Sequence, residues 1–503
     1  MQQLGQFTLV IGLGESGLAM ARWLTRQGVA VRVADTRAEP PQLAILRSEL
    51  PSVEFVSGQP QASWLDGVQT IALSPGVSPH VAPWAAWLAE AREIAVMGEI
   101  ELFAQALAQL KQSHGYAPQV VAVTGTNGKT TTTSLTAHLL SYAGKRVAKA
   151  GNISPAALDA LLTALDNNQL PDIWVLELSS FQLETTTHLN ALAATVLNIS
   201  QDHLDWHRDM ADYAAAKAKI FGDEQSQTLR ILNRDDPVVA AMQGSDDTPV
   251  VTFGLNAPTQ AGDLGVIQEN GMLWMVEAVA LEGEPPKGRR RKKDLAPVEI
   301  MLKRLMPAEA LRIRGLHNVA NALAALQLCR ALGLSFAPIL HGLRDYRGEP
   351  HRVEWIGTIK DVEFIDDSKG TNVGATVAAL KGLQKRVHLI AGGDGKGQDF
   401  TPLIEPIMEY AAAVYLIGKD AEALQQTLSP YGVHTVRCDT LEAATEQAFI
   451  DACAKNSAGQ AVLLSPACAS LDMFRNYAHR AAVFAATAQG IAAEHGLSWE
   501  AAC

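Results

Sequence analysis

Cysteine is scarce in this chain: there are five, at Cys329, Cys438, Cys453, Cys468 and Cys503. They are odd in number, scattered, and form no C-x-x-C pair. That argues against a disulfide framework or a zinc cluster and fits a reducing compartment. Long hydrophobic runs are missing too. No stretch approaches the roughly 18 consecutive apolar residues of a membrane span. The opening MQQLGQFTLVIGLG has no basic segment followed by a long apolar one, so no leader is expected and the cytoplasm is the expected address. Positive charge is also in deficit: 41 Lys and Arg stand against 53 Asp and Glu, a net charge of −12. A field of that sign does not draw in a phosphate backbone, so nucleic acid is not expected as a partner. Any nucleotide must be held by a local site.

The 503 residues suggest about three domains at roughly 150 residues each. An apolar run from Phe7 to Ile11 ends in glycines. An amphipathic segment from Leu18 to Gln27 and a second run from Val29 to Ala34 follow. Strand, turn, helix, strand in this order implies a parallel sheet with a right-handed crossover. Val53–Ser57 and Thr70–Ser74 extend it. A second unit has strand candidates at Val120–Val123, Ile173–Leu178 and Ala194–Ile199, and a helix at HNVANALAALQLCRAL. A third has Val362–Ile365, Val387–Ala391, Ala413–Ile417 and Ala461–Leu464. The pattern predicts an α/β protein of three domains, 1–98, 99–348 and 349–503. One segment departs from it. Glu282–Pro297 carries six basic residues and three prolines and reads as a solvated surface insertion.

The chemistry gathers at strand ends. In VVAVTGTNGKTTTT (120–133) a buried strand runs into a glycine turn, and Lys129 and Thr130 begin a helix. Backbone N–H groups there can cradle phosphates, with Lys129 reaching the β/γ-phosphates and the Thr130 hydroxyl on Mg²⁺. Gly12-Leu13-Gly14-Glu15-Ser16-Gly17, with Asp35 ending the next strand, reads as a diphosphate site or as tight helix–sheet packing. It is equally open to a nicotinamide dinucleotide, which would make the protein an oxidoreductase. Glu177, ending the strand before Ser179-Ser180-Phe181-Gln182, is a candidate Mg²⁺ ligand. Asp202-His203 follows another strand, and downstream Tyr213 and Lys217 share a helical face, where a lysine is ordinarily a surface charge. Asp366-Asp367-Ser368-Lys369-Gly370-Thr371, Gly392-Gly393-Asp394-Gly395-Lys396 and Ser465–Asp472 end three strands of the last unit. Together these suit ATP-driven activation of a carboxylate, by phosphoryl transfer, and its capture by an amine.

GTNGKT, LELSSFQLE (176–184), Asp202-His203, HNVANALAA (317–325), PHR (350–352), DDSKGTN (366–372), GGDGKG (392–397) and SPACASLD (465–472) resemble the Mur ligases over nearly the whole chain. They look nearest to the branch that joins D-glutamate to UDP-N-acetylmuramoyl-L-alanine through an acyl phosphate in peptidoglycan precursor synthesis. Other amide ligases of the superfamily, adding another amino acid or acting on a folate, are the alternative. The resemblance implies a Rossmann-like UDP-binding domain, a P-loop central domain with a parallel sheet, and a Rossmann-like C-terminal domain. It implies ATP held by Gly125, Thr126, Asn127, Gly128, Lys129, Thr130, Thr131, Asn318, Asn321, Arg352 and Asp367. Two Mg²⁺ would be held by Thr130, Glu177, His203 and Lys217, the last as a carbamylated lysine. Lys129, His203, Lys217 and Arg352 would be the catalytic set. The UDP-linked substrate would lie on Gly14, Ser16, Asp35, Thr36, Arg37, Ser74, Gly76, Asn152, Ser179 and Gln182. D-Glutamate would lie on Lys369, Thr371, Asp394, Lys396, Ser470, Leu471 and Tyr477, with Asp394 orienting Lys396. The implied protein is a monomer with small-molecule partners.

Deleting Glu282–Pro297 is expected to leave ATP-dependent phosphate release unchanged. A large loss in that assay would assign the insertion a working role.

Overall fold

The computed structural model describes residues 7–91, 93–204, 206–223, 226–245, 247–281, 299–383, 385–454 and 460–501. The basic insertion, Asp205 and Cys503 lie outside them. Two compact units result. One holds Met1–Ile199, His203–Glu309 and Asn321–Arg344; the other holds Ser200–Asp202, Ala310–Ala320 and Asp345–Cys503. Among the described residues no helix is long and apolar enough to cross a membrane.

The first unit contains two sheets. Strands β1 (Phe7–Ile11), β2 (Ala30–Asp35), β3 (Glu54–Ser57), β4 (Thr70–Leu73) and β5 (Ala95–Gly98) form a parallel sheet in the order β3-β2-β1-β4-β5. The order reverses between β1 and β4. The loops after these two strands therefore diverge and leave a crevice at their carboxyl ends. The second sheet has β6 (Gln119–Thr124), β7 (Val147–Gly151), β8 (Ile173–Glu177), β9 (Ala193–Val196), β10 (Leu229–Asn233), β11 (Val250–Phe253), β12 (Leu264–Glu269), β13 (Met272–Ala280) and β14 (Ile300–Pro307). Its order is β14-β13-β12-β11-β10-β9-β6-β8-β7. The first seven strands in sequence, β6 to β12, pair in parallel, whereas β13 runs antiparallel to both β12 and β14. The buried strands at the middle of this sheet are continuous apolar runs, as parallel strands covered on both faces must be. Strand β14 is largely exposed and carries Lys303 and Arg304, so it does not stand out as an apolar run.

One apolar core serves both sheets. Leu18, Met20, Trp23 and Leu24 on the helix Glu15–Arg26 join Phe103 on the helix Glu99–His114 and Leu158 and Leu161 on the helix Ala157–Asp166. The Phe103 and Trp174 rings meet edge-on at 5.1 Å. Arg22 adds an ion pair to Asp159 at 3.0 Å. This shared core is why the first two sheets form one compact unit.

The second unit has β15 (Glu354–Ile359), β16 (Val362–Asp366), β17 (Val387–Gly392), β18 (Ala411–Ile417), β19 (Thr435–Arg437), β20 (Ala461–Leu464) and β21 (Glu500–Ala501), in the order β19-β18-β17-β20-β16-β15-β21. Strands β16, β20 and β17 are adjacent and parallel, so the loops after all three emerge at one edge. The strands expected from sequence are present within a few residues. Strands β5, β7, β10–β15, β19 and β21 were not anticipated; several of them are short, polar or at sheet edges, whereas β13 is a nine-residue, largely apolar run inside its sheet.

Glu99 is the costly element of the shared core. It is 1% exposed, and its carboxylate accepts from the Leu158 amide at 2.7 Å, at the start of the helix Ala157–Asp166. Burial pushes its carboxyl up from 4.5 to about 7. Between those values the unfolded chain releases the proton while the folded protein keeps it, so stability falls as pH rises through that window. Glu99→Gln is expected to flatten the fall, as read by thermal melts across the same range.

Candidate active site

The loop after β6 is held from three sides. Gly128 has φ 83°, and a Cβ there would stand 2.4 Å from Asn321 Oδ1, so only glycine fits. Asn198, just beyond β9, clamps the loop reciprocally: its Oδ1 accepts from the Asn127 amide at 2.8 Å and its Nδ2 donates to the Asn127 carbonyl at 3.1 Å. The Thr126 and Tyr213 hydroxyls meet at 3.1 Å. The helix Lys129–Tyr142 starts directly after Gly128, with Thr130 and Thr131 buried in its first turn. Lys129 folds back, donating to the carbonyls of Gly125 at 2.9 Å and Thr126 at 2.8 Å. Lys217 donates to the same Gly125 carbonyl at 3.0 Å and lies 4.7 Å from the Tyr213 ring centre. It is 1% exposed, which corrects the reading of a lysine there as a surface charge.

Glu177 ends β8, beside β6, and is 2% exposed. Its Oε1 accepts from Asn152 Nδ2 at 2.9 Å; its Oε2 is buried with no hydrogen-bond partner among the described residues. A buried carboxylate oxygen left without a donor is unfavourable, and a divalent cation would satisfy it. The residues therefore fit Mg²⁺. Ser179 and Gln182 form a capping box at the start of the short helix Ser180–Glu184. His203, half-buried with φ 57°, lies edge-on to Phe181 at 4.7 Å.

At the crevice of the first sheet lies a cleft of about 570 Å³, lined by Gly14, Asp35, Thr36, Arg37, Ser74 and Gly76 among others. A Cβ at Gly17 would stand 1.9 Å from the Gly12 carbonyl oxygen, whereas one at Gly14 would meet nothing within 4 Å. The glycine motif thus does both jobs: Gly17 lets helix and strand pack, and Gly14 leaves the helix start open. Asp35 accepts from the Leu13 amide at 2.8 Å and from Arg37 Nε and Nη2 at 2.9 and 2.8 Å. Burial alone would raise its carboxyl, but these hydrogen bonds outweigh it and hold Asp35 below the usual range. Ser16 is in the first turn of the helix and, like Asn152, Ser179 and Gln182, does not line this cleft.

In the second unit a cleft of about 380 Å³ is lined by Arg312, Arg314, Asn318, Arg347 and Arg352, with Glu349 and Glu354. Asp367 is buried and accepts from Ser465 Oγ at 2.6 Å; burial pushes its carboxyl up to about 7. His351 Nδ1 is 2.7 Å from Asp366 Oδ2. Lys369 Nζ stands 5.3 Å from the Tyr477 ring centre. Ser470 is buried, and Leu471 beside it is 71% exposed. Thr371 lies one residue beyond Gly370, its amide on the Lys369 carbonyl. Asp394, expected to orient Lys396, meets it through the backbone. Asp394 accepts from the Lys396 backbone amide at 3.1 Å and from Lys419 Nζ at 3.2 Å, and both hold its carboxyl low.

Three family descriptions match the chain: "Mur ligase MurD-like, N-terminal domain" over residues 6–98, "Mur ligase middle domain" over 123–329, and "Mur ligase, glutamate ligase domain" over 351–468. A UDP-N-acetylmuramoylalanine--D-glutamate ligase of Ralstonia nicotianae is 59% identical over 497 residues, 98% of each chain. One of Burkholderia multivorans is 58% identical over 500 residues, covering 97% of this chain and 98% of its own. The chain belongs to the Mur ligase family. The solved UDP-N-acetylmuramate-alanine ligase of Thermotoga maritima shares the fold, with TM-score 0.54 at 19% identity over 96% of this chain and 99% of that one.

Within this Mur ligase three side chains escaped the sequence reading. Asn198 falls in the strand candidate Ala194–Ile199 and carries no signal there; only the fold brings it to Asn127. Arg480 is fully buried and donates to the Ser368 carbonyl at 2.8 Å and the Cys468 carbonyl at 3.2 Å. It ties together two of the loops at the sheet edge, from a helix in which no sequence signal marks it. Trp206 lines the first cleft from the turn after His203. Asn198→Ala removes both side-chain bonds on the loop and is expected to weaken ATP binding roughly tenfold. Titration calorimetry checks this.

Proposed function

We propose that this Mur ligase joins D-glutamate to UDP-N-acetylmuramoyl-L-alanine, with ATP converted to ADP and phosphate, in peptidoglycan precursor synthesis. The observation that carries the reading is 59% identity, over 98% of both chains, to a relative named for that reaction. A carboxylate is a poor electrophile because oxide is a poor leaving group. Phosphoryl transfer to it makes an acyl phosphate, which an amine can attack.

The chain's own groups fit those steps. The Gly125–Thr131 loop and helix start present backbone N–H groups to phosphates, and Lys129 needs only to leave two carbonyls to meet them. Thr130, Glu177, His203 and Lys217 would hold Mg²⁺, which neutralises charge on the transferred phosphoryl group when bound. Glu177 Oε2 is the strongest support for this. Lys217 as a carbamate would exchange a buried cation for an anion able to hold a metal. Asn318, Asn321, Arg352 and Asp367 are the remaining residues proposed for ATP. Gly14, Ser16, Asp35, Thr36, Arg37, Ser74 and Gly76 would hold the uridine diphosphate end, and Asn152, Ser179 and Gln182 the muramoyl-alanine arm. Lys369, Thr371, Lys396, Ser470, Leu471 and Tyr477 would receive D-glutamate, with Asp394 bracing the Lys396 backbone. A cytoplasmic monomer is the proposed working state.

Phosphate release with ATP, Mg²⁺ and UDP-N-acetylmuramoyl-L-alanine is expected to require D-glutamate from a panel of amino acids. Indifference to D-glutamate would overturn the assignment. Lys129→Ala should lower turnover about a hundredfold or more with the fold intact by circular dichroism. Lys217→Ala should lose activity and regain part of it with short added carboxylates; no rescue would count against the carbamate.

A further inference from the structure

The cleft beside Gly14 has a wall that its own sheet does not supply. Trp206 belongs to the turn after His203, where the amides of Trp206 and His207 both return to the His203 carbonyl, at 3.1 and 3.0 Å. The indole is 8% exposed and lines the cleft together with Gly14 and Arg37. It stacks on Phe181 at 4.7 Å with planes 29° apart, and meets His80 edge-on at 5.7 Å. Its Nε1 is buried with no hydrogen-bond partner among the described residues, which is unfavourable for an indole. From Trp206 the aromatic contacts continue toward the phosphate loop. Phe181 touches His203, His207 and Tyr213 rings lie 5.3 Å apart, and the Tyr213 hydroxyl meets Thr126.

We propose that Trp206 is a specificity-determining residue that seats the sugar of the nucleotide-linked substrate. This rests on the function proposed above. A substrate whose diphosphate lies at the Gly14 helix start and whose carboxylate must reach the Gly125–Thr131 loop spans the distance between them. Trp206 stands on that route, touching the cleft on one side and, through Phe181 and His207, the neighbours of the loop on the other. The segment between diphosphate and carboxylate is the sugar, whose C–H faces suit an indole wall. Through the same stack, seating of the sugar sets His203 and Tyr213.

The test is steady-state kinetics of Trp206→Ala and Trp206→Phe, varying each substrate in turn. The expected result for Trp206→Ala is a KM for UDP-N-acetylmuramoyl-L-alanine raised about tenfold or more, with the KM for ATP unmoved and Trp206→Phe in between. Affinity for UDP alone should be unchanged. An equal loss for UDP, or KM values that all rise together, overturns the proposal. If Trp206→Ala does not fold, intrinsic fluorescence decides: the substrate-induced change of the wild type should shrink in Trp206→Phe, and an identical change in both overturns the proposal. Wild-type turnover with another amino acid in place of D-glutamate would sink the substrate reading while leaving the Trp206 comparison valid.

Discussion

Two ammonium groups converge on one carbonyl oxygen. Lys129 and Lys217 both donate to Gly125, in a loop also held by a glycine pressed on Asn321, an asparagine pair and the Thr126–Tyr213 contact. The two side chains come from different elements, Lys129 from the helix it begins and Lys217 from the helix Met210–Ala218. The chain as a whole carries a net charge of −12, so positive side chains gathered at this loop run against the overall field. The orphaned Glu177 oxygen next to it is the complementary requirement, a place for a cation.

The surroundings hold that loop still. The shared core of the first unit joins the crevice sheet to the phosphate-loop sheet through the helices Glu15–Arg26, Glu99–His114 and Ala157–Asp166. Glu99, buried at considerable cost, fixes one helix start against another. In the second unit Arg480 does the corresponding work, bonding two loop carbonyls from the interior. Neither residue needs to touch a substrate. Each sets the position of backbone that would.

Much of the site could be read before any coordinates, because phosphate chemistry leaves a local trace. A strand, a glycine turn and Gly-Lys-Thr at a helix start are contiguous, so Gly125–Thr131 was legible as a unit. The glycine motif at Gly12–Gly17 was legible only as two alternatives; the structure shows Gly17 allowing the helix to pack on the strand and Gly14 leaving the helix start open. Less visible were side chains whose role depends on distant neighbours. Lys217 reads as a surface charge until Tyr213 and Gly125 are seen around it. Asp394 was expected to orient Lys396; that it does so through the backbone amide while also meeting Lys419, from the loop after β18, is seen only in the fold.

The sequence by itself determined the α/β class, the strand-end location of the chemistry and the family, because these rest on local periodicity and contiguous motifs. The tertiary structure alone decided which residues are buried, which carbonyl the two lysines share, and that Trp206 walls a cleft belonging to another sheet. Those facts depend on contacts between residues far apart in the chain, and a linear pattern carries no record of them.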